Sequence, residues 1–110
     1  MKRFLISLVL VVLMIAPAAA IQYESITVAT ASIGLTAANL IADGIVRPKR
    51  AYCTLETAQI RFRVDGSAPT TSEGHIMNMS EKLTLETHEE LKNFRAIRTG
   101  ATSGVLKCSY

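Results

Sequence analysis

Residues 60–64 read Ile-Arg-Phe-Arg-Val. Strict alternation of this kind constrains a fold more than any other local pattern. Successive side chains of an extended strand point to opposite faces, so Ile60, Phe62 and Val64 share one side while Arg61 and Arg63 share the other. The same period recurs along the chain. Ile26 and Val28 share a face, as do Ile33 and Leu35. Ala51, Cys53 and Leu55 oppose Tyr52, Thr54 and Glu56. Leu83 pairs with Leu85, Phe94 with Ala96, and Leu106 with Cys108 and Tyr110. Such strands have one dry and one wet face, as in antiparallel sheets. Six or seven of them, separated by turn signals, predict an all-β sandwich or barrel. Asp43-Gly44 and Pro48 mark a turn with a basic end. Residues 87–94, Thr-His-Glu-Glu-Leu-Lys-Asn-Phe, are the helical candidate, with a loop as the alternative. The sequence carries no internal repeat and no second domain.

Residues 1–20 follow another rule. Lys2 and Arg3 precede an apolar run from Phe4 to Ile15, Pro17 ends it, and Ala18-Ala19-Ala20 supplies small residues. These are the three parts of a secretory signal peptide, predicting cleavage after Ala20 and a β domain over 21–110. An uncleaved anchor is the alternative, although the run is short of the roughly 20 apolar residues that a spanning helix needs. The full chain of 110 residues has a net charge of +3. Without Lys2 and Arg3, ten basic residues face nine acidic ones, a net of +1. Nothing in that balance calls for nucleic acid, and a membrane enters only through an uncleaved signal segment.

Cys53 and Cys108 are the two cysteines. An exported domain of this size gains from a staple, and an even count suggests a disulfide; two buried thiols that never meet are the alternative. Bonded, they close a loop of about 55 residues, worth up to roughly 4 kcal/mol in the chain-entropy account.

The alternating stretch at 60–64 runs into Asp65-Gly66-Ser67-Ala68-Pro69-Thr70-Thr71-Ser72. Asp can accept from the backbone two residues on, and Gly tolerates positive φ. Pro69 removes an amide donor and stops a central strand. Thr70 and its neighbours can satisfy backbone groups locally. Asp65, Gly66, Pro69 and Thr70 therefore read as a turn motif, with Asp65 a turn-builder rather than an acid catalyst.

Other constellations give little chemistry. No nucleophile motif or phosphate-cradling loop is present. His75 and His88 lack ligand spacing for zinc, and Glu86, Glu89 and Glu90 lack the pattern of a calcium loop. His75 is expected to end the turn segment and His88 to be solvated. Asn78-Met79-Ser80 fits a glycosylation acceptor. Arg61, Arg63, Arg95 and Arg98 form a candidate basic binding face for an anionic glycan, a phosphate or an acidic partner. The alternative is an ordinary wet sheet face balanced by Glu56 and Glu86.

Ile60 to Thr71, with its Asp-Gly-x-x-Pro-Thr piece, together with Leu83 to Leu85, Phe94 to Gly100 and Ser103 to Tyr110, resembles the Ig-like β-sandwich module at the C-terminus of chitobiase and β-hexosaminidase chains. The likeness covers residues 56–110. With the stretch Tyr-Glu-Ser-Ile-Thr-Val-Ala-Thr-Ala-Ser-Ile-Gly-Leu-Thr-Ala-Ala ahead of it, the same half also resembles small structural proteins of tailed bacteriophages. The first resemblance implies a small antiparallel Ig-like β-sandwich; the second implies a virion accessory role. Neither brings catalytic residues. The expectation is an exported, non-catalytic β-sandwich module with a binding or structural role at the cell surface or in an extracellular assembly. Its alternatives are a phage-type decoration protein and, last, a small secreted enzyme. No cofactor or metal is expected. A protein or glycan partner and a homo-oligomer remain open.

Overall fold

The structure, a computed structural model, describes residues 22–40 and 48–110. The signal segment and the Asp43-Gly44 turn lie outside the described residues. Among these residues, seven strands and two short helices follow in the order β1 (Tyr23–Val28), α1 (Ala37–Leu40), β2 (Ala51–Glu56), β3 (Ile60–Arg63), β4 (His75–Met77), β5 (Lys82–Leu85), α2 (His88–Asn93), β6 (Arg95–Arg98) and β7 (Gly104–Ser109).

The strands form two antiparallel sheets, ordered β1-β7-β2-β5 and β4-β3-β6, in a β-sandwich-like all-β arrangement. The inner faces are those set by alternation. Ile26 and Val28, then Ala51, Cys53 and Leu55, then Leu106, Cys108 and Tyr110 are buried from the first sheet; Ile60, Met77 and Ala96 are buried from the second. Phe62 and Val64 are only partly buried and pack against this core. The sheets come very close at one end. A Cβ added to Gly104 would lie 2.7 Å from Ile60 Cγ2 and 2.8 Å from the Ala58 carbonyl oxygen.

Between the sheets the chain changes sides. After β1 it bends, and Ile33 exchanges both backbone hydrogen bonds with Ala96 at 2.9 and 2.8 Å, while the Arg98 amide donates to the Ala29 carbonyl. This segment lines the outer edge of β6. It also corrects one expectation: Leu35 is buried, but Ile33 is 39% exposed. The two share a face only in a continuous strand, and the bend at Leu35 breaks the period.

Residues 88–93 are helical, not looped. Thr87 caps the helix, its Oγ1 accepting from the Glu90 amide at 3.1 Å, and the Glu90 carboxylate accepts from the Glu86 amide at 2.8 Å. This is close to a capping box, and the Thr-x-x-Glu spacing is its sequence signal. Leu91 and Phe94 are then driven into the core.

Candidate functional site

The corner after β3 is built from its own polar groups. Gly66 sits at φ +86°, and its amide donates to the Asn93 carbonyl at 3.2 Å. Asp65 Oδ1 accepts from the Ser67 amide at 3.2 Å and both carboxylate oxygens take the Arg63 guanidinium. The bond to Arg63, then that to the Ser67 amide, holds the Asp65 carboxyl below its ordinary range, and the same pairing raises Arg63. Pro69 is buried. Thr70 Oγ1 accepts from the amides of Ser72 and Glu73 at 3.2 and 2.9 Å, and the Thr70 amide donates to the Glu73 carbonyl at 2.9 Å. Arg61 closes the loop from the strand side: Nε donates to the Thr71 carbonyl at 3.0 Å and Nη1 to the Gly74 carbonyl at 2.8 Å.

Strand register divides the four arginines. Arg61 lies opposite Ile97 and Arg63 opposite Arg95, so Arg61, Arg63 and Arg95 share the outer face of the second sheet. Arg98 lies opposite Ile60 and belongs to the other face. Three positions separate Arg95 from Arg98, an odd spacing that sends them to opposite sides of a strand. Arg98 Nη1 donates to Ser103 Oγ at 3.3 Å, and its buried Nε has no partner among the described residues. On the shared face, Arg61 is committed to the loop and Arg63 to Asp65. Arg95 reaches Ser32 Oγ at 3.1 Å. Glu56, expected to balance this face, instead pairs with Lys107 at 3.4 Å on the other sheet.

A surface groove of about 390 Å³ runs beside the corner, lined by Arg63, Val64, Asp65, Glu73, Gly74 and His75. Its charge is mixed. His75 does not end the turn but starts β4, its ring 5.5 Å from that of Phe62. His88 is only partly exposed, with Nδ1 3.0 Å from the Pro48 carbonyl oxygen. Asn78 Oδ1 accepts from Gln59 at 2.7 Å. Among the described residues no three His, Cys, Asp or Glu side chains are placed to hold a metal ion, and no helix is long and apolar enough to cross a membrane.

Cys53 and Cys108 are disulfide-bonded. They are direct neighbours on β2 and β7, on the dry face of one sheet.

One polar cluster carried no signal in the alternation. The Tyr110 hydroxyl donates to Glu24 Oε1 at 2.7 Å and accepts from Asn39 Nδ2 at 3.1 Å. Glu24 also accepts from the Thr36 amide at 2.9 Å and from the Thr36 hydroxyl. Burial, and then donation to Glu24, push the Tyr110 phenol up to about 12. The cluster ties the segment after β1 to the end of β7.

No family model, curated protein or solved structure matches the chain. What the geometry defines is a class: a small disulfide-bridged domain of two antiparallel sheets, with its charged corner groups engaged in holding its own backbone.

Proposed function

We propose that the chain is an exported, non-catalytic β-sandwich module of Ig-like descent, working through surface contacts at the cell surface or in an extracellular assembly. The observation that carries this reading is the Cys53–Cys108 bond between two core strands. Such a bond persists in oxidising compartments and is rare in reducing ones. The corner supports the non-catalytic part. Arg61, Arg63 and Asp65, charged groups at this corner, are engaged by the loop they build. The partition of strands supports the Ig-like part. β1, β2 and β5 share one sheet and β3 and β6 the other, as the A, B, E and C, F strands of an immunoglobulin sandwich do. The last strand differs: β7 inserts between β1 and β2, so the disulfide lies within a sheet instead of across the core.

The test is fractionation of the expressed full-length chain, with mass spectrometry of its N-terminus. The proposal expects protein outside the cytoplasm, starting at Ile21 and oxidised. Cytoplasmic protein that starts at Met1 and carries two free thiols overturns it.

A further inference from the structure

Among the described residues β1 pairs with β7 on one edge and with no strand on the other. Gln22 and Tyr110 exchange both backbone hydrogen bonds, at 2.5 and 2.8 Å. In an antiparallel pair, bonded and non-bonded positions alternate. The pairs Glu24–Cys108, Ile26–Leu106 and Val28–Gly104 are therefore bonded, while Tyr23, Ser25 and Thr27 turn their N–H and C=O groups away from β7. No other strand among the described residues pairs with β1.

The remaining edges are guarded. The outer edge of β6 is met by Ala29 and Ile33. β4 has three residues, of which Ile76 alone, by the same alternation, turns its groups outward. β5 presents Lys82 and Thr84, and a lysine is a standard guard against strand addition. β1 is six residues long, has no Lys and no Pro, and its one charged side chain, Glu24, is bound to Thr36 and Tyr110. Its outer-face side chains are Tyr23, Ser25 and Thr27, all exposed, with Tyr23 at 62%.

We propose that β1 pairs with β1 of a second copy of this chain, antiparallel about a two-fold axis through Ser25, joining the two four-stranded sheets into one. The occupant follows from self-complementarity. In this register Ser25 meets Ser25 of the second copy, and Tyr23 meets its Thr27. All three outward N–H and C=O pairs are then used on each chain. Tyr opposite Thr is a favourable aromatic–β-branched pair, and no like charges meet. Centring on Glu24 sets two carboxylates face to face. Centring on Ile26 places Tyr23 against Ala29, whose carbonyl is already taken by the Arg98 amide. The closed, isologous contact is the form that two-fold dimers take. The inference rests on the contact-forming role proposed above but is read out separately: fractionation tests export, and molar mass tests the edge.

The experiment measures molar mass in solution for the exported, purified protein and two variants. Ser25→Glu puts two carboxylates opposite each other across the axis, yet within the chain it sets a carboxylate beside Lys107, its partner on β7. It should fold, and should shift the mass from dimer to monomer. Ser25→Lys should also lose the dimer. Mixing the two variants should restore a species of dimer mass, because opposite charges then meet at the axis. Circular dichroism and thermal melting check that each variant is folded, and Ser25→Glu keeps the test valid if Ser25→Lys does not fold. A wild-type chain that stays monomeric at high concentration overturns the proposal, as does a folded Ser25→Glu variant that stays dimeric. A mixture that stays monomeric overturns the register about Ser25.

Discussion

Cys53 and Cys108 face each other across neighbouring strands of one sheet with their Cα atoms 4.1 Å apart. The position is the close, non-hydrogen-bonded kind, because the amide and carbonyl of Cys108 are used toward β1. The bond therefore takes no ladder hydrogen bond with it, and it joins positions 55 apart in sequence. Replacing both cysteines by Ala should lower unfolding free energy by up to about 4 kcal/mol in the chain-entropy account, read from urea denaturation midpoints. Thiol titration of the denatured, unreduced protein should find no free sulfhydryl. Two free thiols per chain would contradict the bond.

Gly66 and Gly104 are required for different reasons. Gly66 holds φ +86°, so Gly66→Val should destabilise by about 1 kcal/mol or more. At Gly104 the obstacle is space: a methyl group would meet Leu55 at 3.2 Å as well as Ile60 and the Ala58 carbonyl. Gly104→Ala should cost about 1–3 kcal/mol through overpacking. Gly100, where an added Cβ would meet nothing within 4 Å, is the control and should tolerate Ala. Thermal melting of the three variants checks the order.

Arg61 should matter more to the corner than Arg63. Arg61 donates to two loop carbonyls, of Thr71 and Gly74. Arg61→Ala should cost about 1.5 kcal/mol, the lower end for hydrogen bonds that involve a charged group, as suits a partly exposed site. Arg61→Lys should not restore it, since an ammonium lacks the planar fork that spans both acceptors. Arg63 pairs with an exposed Asp65, so Arg63→Ala should change stability little. Hydrogen exchange of the amides in 66–74 should accelerate in the Arg61 variants and much less in Arg63→Ala. Equal effects would contradict the assignment.

Tyr110 should make the fold sensitive to alkali. Its phenol is pushed up to about 12 in the folded chain, against about 10 when unfolded. The folded state thus holds the proton more tightly. The stabilisation is complete below about pH 10 and is lost as pH rises through the folded value. Denaturation midpoints should fall over that window in the wild type and fall less steeply in Tyr110→Phe. Identical slopes would show that the Tyr110 phenol is not held, buried and bonded to Glu24, in solution.

Much of the inner face was legible in the chain. Ile26, Val28, Ala51, Cys53, Leu55, Ile60, Leu85, Phe94, Ala96, Leu106, Cys108 and Tyr110 are buried as alternation predicts. The pleat makes side-chain direction a matter of parity, and parity is local. The corner was legible for a similar reason. Asp65 and Thr70 accept from backbone amides within a few residues and Gly66 supplies the positive φ at its own position, a range over which residue type decides geometry. The helix at 88–93 was half-legible: its Thr-x-x-Glu cap is local, but its burial depends on Leu91 and Phe94 finding a core.

Partners distant in sequence were decided only by the tertiary structure. Period two says which residues share a face, but not which strand lies beside which. That choice depends on closing long loops and packing two sheets at once. So the cysteines could be placed on dry faces, while their meeting side by side on β2 and β7 required β7 to insert between β1 and β2. The arginine face was divided the same way. Parity already separates Arg95 from Arg98, but only the register sets Arg63 against Arg95 and frees Arg61 to hold the loop. The Tyr110–Glu24–Thr36–Asn39 cluster joins positions as far apart as 24 and 110. Alternation places Tyr110 on the dry face, but no local pattern announces its polar partners, because what brings them together is the path of the chain from one sheet to the other.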